Sequence, residues 1–209
     1  MEMKKAERKA REFSLRRAEI LDQAVKIFAA KGFHRTTVAE IAAASGFAIG
    51  TLYQFFESKD QLYIEMLTEK LVLMYGRVQE AVAMESDGIR KIEVMIESQF
   101  AFIENNVDFY GLFVREDHLP PSERALELRK RMMADYMNHI AFVEGVMREE
   151  VGRGILMEMD PQMMAVALKG IIRSCVVRWL SVRDGTSLTS LVPFVAHIFL
   201  EGVRKHDRP

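Results

Sequence analysis

With 209 residues, 49% of them hydrophobic, the chain can bury one good core or a small domain beside a larger one. The single cysteine, Cys175, excludes a disulfide framework within the chain. No run approaches the roughly 18 apolar residues that cross a bilayer, and the charged N-terminus lacks a signal-peptide apolar segment. The expectation is a soluble cytoplasmic protein with no membrane partner. The net charge of −1 is uneven: the first 35 residues hold ten basic and five acidic side chains, leaving the remainder acidic. A basic end on a mildly acidic body fits nucleic-acid contact through the N-terminus, or else a solvated tail.

Residues 1–14 are charged and mixed in sign, and either extend the first helix or fray. From Leu15, the apolar residues Ile20, Leu21, Ala24, Val25, Ile27 and Phe28 recur at helical spacing. Gly32 closes this helix, with Phe33 as its apolar cap partner. In TTVAEIAAASGFAIGTLYQFFESKDQL, residues 36–62, Thr37 and Glu40 have capping-box spacing. Val38, Ile41 and Ala42 form a stripe that ends at Ser45-Gly46. A second helix follows from about Ile49 to Phe56, with Leu52 and Phe56 on one face. The pattern is a helix-turn-helix whose second helix is free to enter a DNA major groove.

Turning Leu52 and Phe56 inward and stepping about 100° per residue leaves Gly50, Thr51, Tyr53 and Gln54 outward. Glycine allows close backbone approach, Thr and Tyr can donate to phosphates, and Gln can pair with adenine N6 and N7. Ala48 gives this helix no side-chain N-cap. Ile49 is either core or, in the groove, a partner for a thymine methyl. No Lys or Arg lies between Thr36 and Ser58, so this helix cannot read guanine by a bidentate arginine, and an operator with important A·T pairs is expected.

Ser58 and Gln61 again have capping-box spacing. Lys59 falls in the first helical turn, where the dipole is positive and an outside anion such as a DNA phosphate would relieve it. The fourth helix runs to about Met84 on a stripe of Leu62, Met66, Leu67, Leu71, Met74, Val78 and Val82. A fifth covers about Ile89–Glu104, and a short aromatic helix carries Phe109, Tyr110 and Phe113. Pro120-Pro121 breaks the chain, and a long helix starts at Ser122 with Met132, Met133, Tyr136, Met137, Ile140, Val143 and Met147 inside. Asp160-Pro161 opens a helix to about Arg183 that is apolar almost all round, hence expected to be buried on several sides. The last runs from about Ser187 to Lys205. The fold class is all-α, about nine helices, with residues 1–57 as a DNA-binding domain and 58–209 as a ligand-binding and dimerisation domain.

Gly32-Phe33, Thr36-Thr37-Val38, Ile41-Ala42, Gly46, Gly50-Thr51-Leu52-Tyr53, Phe56 and Ser58-Lys59-Asp60-Gln61-Leu62 carry a resemblance to the DNA-binding motif of TetR-type (tetracycline-repressor-like) transcriptional regulators. It covers about residues 16–67. The resemblance implies a homodimer that binds a palindromic double-stranded DNA operator as a repressor, pairs through its last two helices and frames a ligand cavity with its middle helices. By position it implies phosphate contacts from Thr37, Tyr53 and Lys59, and base proximity for Thr51 and Gln54. An adaptable apolar cavity would be lined by Met95, Phe102, Phe109, Phe113, Met133, Tyr136, Met137, Ile140, Cys175 and Trp179. Its expected occupant is a mid-sized lipophilic molecule, with any polar group met by Tyr136, Trp179 or Arg178.

The five histidines have no metal-ligand spacing, and no phosphate-binding glycine loop or nucleophile motif is present. Neither enzyme activity nor a cofactor is expected. The competing expectation is a small-molecule-binding helical protein of this fold that does not bind an operator.

Overall fold

The computed structural model describes residues 2–114, 123–182 and 184–203, with the side chains of 2–5, 123–125 and 128 set aside. The described residues form α1 (Glu2–Lys31), α2 (Val38–Ser45), α3 (Ile49–Phe55), α4 (Lys59–Ala83), α5 (Gly88–Glu104), α6 (Val107–Val114), α7 (Glu123–Gly152), α8 (Pro161–Val182) and α9 (Val192–Val203). A 3-10 turn at Leu188–Leu191 leads into α9. No strand occurs among the described residues, so the all-α expectation holds. Of the charged N-terminal stretch, residues 2–14 extend the first helix. The Pro120-Pro121 break and the helix start at Ser122 lie outside the described residues.

The chain divides into two compact units, Met1–Lys70 with Asp108–Lys130, and Leu71–Val107 with Arg131–Pro209. In the first unit the core is aromatic. Phe28 meets Tyr63 edge-on at 4.8 Å between ring centroids, and Phe33 meets the same ring at 5.1 Å. Ile20, Ala24, Ile41 and Leu52 are buried with them. Burial also pushes the Tyr63 phenol up to about 12. Capping at α4 is half as expected. The Gln61 amide N–H donates to Ser58 Oγ at 3.1 Å, but the Gln61 side chain accepts from the Glu57 N–H rather than from that of Ser58.

In the second unit, the α5 stripe of Ile92, Met95, Ile96, Phe100 and Ile103 is buried, and α5 packs on α9 and on the 3-10 turn. Glu104 holds that turn by accepting from Ser187 Oγ at 3.0 Å and the Thr189 N–H at 3.2 Å. Gly88 opens α5 because a Cβ there would overlap the Glu150 carboxylate. Glu150 is fully buried, with Lys91 Nζ at 3.3 Å and an Arg153 guanidinium nitrogen at 3.2 Å.

Two helices depart from expectation. Met133 and Met137 on α7 are 59% and 48% exposed rather than inside, whereas Ile140, Val143 and Met147 are buried. On α8 Met164, Ala165, Leu168, Lys169, Ile172 and Val176 face the core, whereas Met163, Val166, Val177 and Val182 are exposed in the single chain. Phe194 and Ile198 on α9 are exposed as well.

Candidate functional site

The α2–α3 turn is built by backbone hydrogen bonds that its residue types permit. Thr37 Oγ1 accepts from the Glu40 N–H at 3.2 Å, and the Thr37 N–H donates to Glu40 Oε2 at 2.9 Å, the reciprocal capping box. Lys31 pairs with the same carboxylate. Lys31 first, then the Thr37 backbone and hydroxyl, hold the Glu40 carboxyl down at about 2. Gly46 takes φ 73°, its N–H donates to the Ala43 carbonyl at 3.2 Å and the Phe47 N–H to the Ala42 carbonyl at 3.0 Å. That pair of bonds is a Schellman motif, which needs the left-handed glycine. At Ala48, α3 begins with no side-chain cap, as expected.

On α3, Leu52 and Phe56 point into the core, while Gly50, Tyr53 and Gln54 are exposed and Thr51 is half-buried. A Cβ on Gly50 would meet nothing within 4 Å, so packing does not require this glycine. Ile49 is 46% exposed and therefore belongs to the outward face rather than the core. Phe55 turns back to lie 4.3 Å from the Phe13 ring of α1. Thr37 is exposed at the start of α2.

Lys59 behaves differently from the expectation of an outside anion. Its ammonium donates to the Phe33 and Thr36 carbonyls, both at 2.9 Å, and lies 4.3 Å from the centroid of the Phe33 ring. Two of its three N–H donors are thus committed to the α1–α2 loop, which ties α4 to the helix-turn-helix. Arg17 adds a second tie: it pairs with Glu65 and Glu69 of α4 and lies 5.2 Å from the Phe56 ring.

The expected cavity residues are not gathered into one unit. Phe109 and Phe113 belong to the first; Met95, Phe102, Met133, Tyr136, Met137, Ile140, Cys175 and Trp179 belong to the second. Met95, Phe102, Phe109 and Ile140 are buried, and Phe113, Tyr136, Cys175 and Trp179 are half-buried. Burial raises the Cys175 thiol above its ordinary range. The Trp179 indole N–H already donates to the Thr186 carbonyl at 2.7 Å, so it is not free to meet a ligand's polar group as expected.

The second unit also holds a polar cluster that sequence reasoning missed. Lys169 of α8 is only 9% exposed, and its ammonium donates to Gln99 Oε1 of α5 at 2.7 Å. His139 of α7 is 1% exposed and stacks on Tyr75 of α4 at 4.1 Å, with 11° between the rings. The Lys169 ammonium lies 5.9 Å from the centroid of that tyrosine ring. Neither His139 ring nitrogen has a hydrogen-bond partner. Burial pushes Lys169 down to about 7; burial first, then the Lys169 charge, pushes His139 down to about 3. One signal was visible: Lys169 is the only charged residue in the stretch from 161 to 172, the first half of α8.

Among the described residues no group of three His, Cys, Asp or Glu side chains could hold a metal ion, and no helix is long and apolar enough to cross a membrane.

Residues 20–66 match the family model for bacterial regulatory proteins of the tetR family. The chain is 25% identical over 186 residues to the fatty acid metabolism regulator protein of Bacillus subtilis (strain 168), covering 88% of this chain and 94% of that protein. It is 34% identical over 110 residues to the transcriptional repressor KstR2 of Rhodococcus jostii (strain RHA1), where the match covers 52% of this chain and 54% of the relative. The crystal structure of FadR from Bacillus subtilis in complex with stearoyl-CoA superposes with a TM-score of 0.77 at 22% identity, over 88% of this chain and 98% of that one. FadR from Bacillus halodurans gives 0.78 at 23%, over 90% and 99%. The structural likenesses speak for the fold: an N-terminal helix-turn-helix followed by a helical body. Residues 20–66 thus carry the DNA-binding region of the tetR-family bacterial regulatory proteins, on a helical body with the fold of these structures.

Proposed function

We propose that this regulator is a homodimeric repressor of a palindromic operator, released by a lipophilic ligand of fatty-acyl type. Residues 1–57 serve DNA, and residues 58–209 serve the ligand and the dimer. The outward face of α3 carries the reading. Thr51 and Gln54 lie against bases, with Ile49 offering a methyl contact and Gly50 permitting close approach. Thr37 and Tyr53 hold phosphates, and Lys59 acts chiefly by fixing α4 to the α1–α2 loop. The exposed Met163, Val166 and Val177 of α8, with Phe194 and Ile198 of α9, form an apolar face suited to a second copy of the chain.

A dimer of this kind sets its recognition helices near one DNA turn apart, about 34–36 Å. A ligand that binds better to a wider arrangement shifts the population away from DNA. The acyl class is supported by the similarity to a fatty acid metabolism regulator and to FadR bound to stearoyl-CoA. In α4, Lys59 sits at the DNA-domain end and Tyr75 at the ligand-domain end, so α4 is the element through which ligand binding acts.

Selection from randomised duplexes should return inverted repeats that depend on A·T pairs, with binding that weakens steeply with salt. Half-sites that depend only on G·C pairs would overturn the assignment of Gln54 and Thr51. Recovery of no specific site would favour a small-molecule-binding protein without an operator.

A further inference from the structure

Among its described residues the second unit contains two buried charges, and it treats them differently. Glu150 is met by Lys91 and Arg153. Lys169 has one amide oxygen, from Gln99, and no carboxylate partner among the described residues. An ammonium has three N–H donors, and a buried cation without a counter-ion is costly. His139, neutral at physiological pH, offers one further N–H donor and one acceptor, and neither is engaged. Gln99 can also turn its amide N–H groups toward an oxygen. Lys169 and Gln99 are in direct contact, and Lys169 and His139 both lie against the Tyr75 ring, so the three donor groups share one buried neighbourhood.

Its surroundings are apolar. Helical spacing puts Met95 and Phe102 on the Gln99 face of α5, and Ala165 and Ile172 on the Lys169 face of α8, and all four are buried.

We propose that Lys169, His139 and Gln99 seat the anionic head group, a carboxylate or a phosphate, of an otherwise apolar ligand. This rests on the lipophilic-ligand reading above and adds to it the charge of the ligand and the residues that recognise it. Lys169 supplies the counter-charge, His139 a directional hydrogen bond, and Tyr75 fixes the imidazole plane by stacking. The head group enters as the anion and no bond is made or broken.

Calorimetric titration of the full-length protein with stearate, stearoyl-CoA and octadecanol tests this. The wild type should bind at least one of the two anions about tenfold or more tightly than the alcohol, the size expected of a charged hydrogen bond. Lys169→Met should lose that preference, keep its affinity for octadecanol and melt no lower. Loss confined to stearate identifies a carboxylate in the seat, and loss confined to stearoyl-CoA a phosphate. Equal wild-type affinities for all three, or a preference that survives Lys169→Met, would overturn the anion seat and leave the lipophilic-ligand reading standing. Failure of the wild type to bind any of the three would overturn both. Should Lys169→Met melt lower, the wild-type comparison of anion with alcohol decides alone.

Discussion

The surroundings of Lys59 and of Lys169 show two ways to hold an ammonium inside a helical protein. Around Lys59, two carbonyls and an aromatic face converge on the cation, and all of them belong to the loop that α4 must grip. Around Lys169 there is one amide oxygen and a stacked histidine with two unpartnered nitrogens. A polar group satisfied by its own fold is there to hold the fold. A buried polar group left short of partners is suited to receive something else.

That contrast is most sharply broken by paired substitutions. Lys59→Met leaves the Phe33 and Thr36 carbonyls without their donor and should destabilise the protein by about 2–3 kcal/mol, as expected for hydrogen bonds to a charged group. Lys169→Met, which removes an uncompensated buried charge, should leave the thermal midpoint unchanged or raise it. Equal losses in the two variants would erase the distinction.

A smaller effect is expected on the DNA face. Gln54→Ala should cost about 1–3 kcal/mol at the one A·T pair it reads and little at other positions, measured by competition with single-base operator variants. A uniform loss across all sequences would make Gln54 a phosphate contact instead. Ala48→Ser, which supplies the missing cap of α3, should stabilise the free protein by about 1 kcal/mol; an unchanged melting curve would show that Ala48 costs the helix nothing.

The smallest effects concern acid. The His139 imidazole is held at about 3 against an ordinary 6.5, so the folded state takes its proton later than the unfolded state. Stability should therefore fall as pH drops from 6.5 toward 3. The Glu40 carboxyl, at about 2 against 4.5, adds a loss that starts below pH 4.5. His139→Phe should flatten the midpoint between pH 6.5 and 4.5, and Glu40→Gln only below that. Identical profiles in both variants would contradict the assignment of the two windows.

Legibility followed distance along the chain. The Thr37–Glu40 box, the Gly46 turn and the bare Ala48 all act within a few residues, and each was readable from residue types. Ile49 was ambiguous because α3 is only seven residues long and its inward face rests on little more than Leu52. The carbonyl partners of Lys59 went unread because they lie 23 and 26 residues away. The Lys169 cluster draws on α4, α5, α7 and α8, and no periodicity in one helix reports a group on another. Met133 and Met137 were expected inside because hydrophobicity alone does not tell which side of α7 meets the core.

The central claim, DNA binding controlled by an acyl-type ligand, is tested most directly by fluorescence anisotropy of the selected duplex. The protein would be titrated at stepped salt, alone and with stearate or stearoyl-CoA. Affinity should fall steeply and log-linearly with salt, and saturating lipid should release the duplex at constant salt. Specific binding that stearate and stearoyl-CoA both leave unchanged would contradict it.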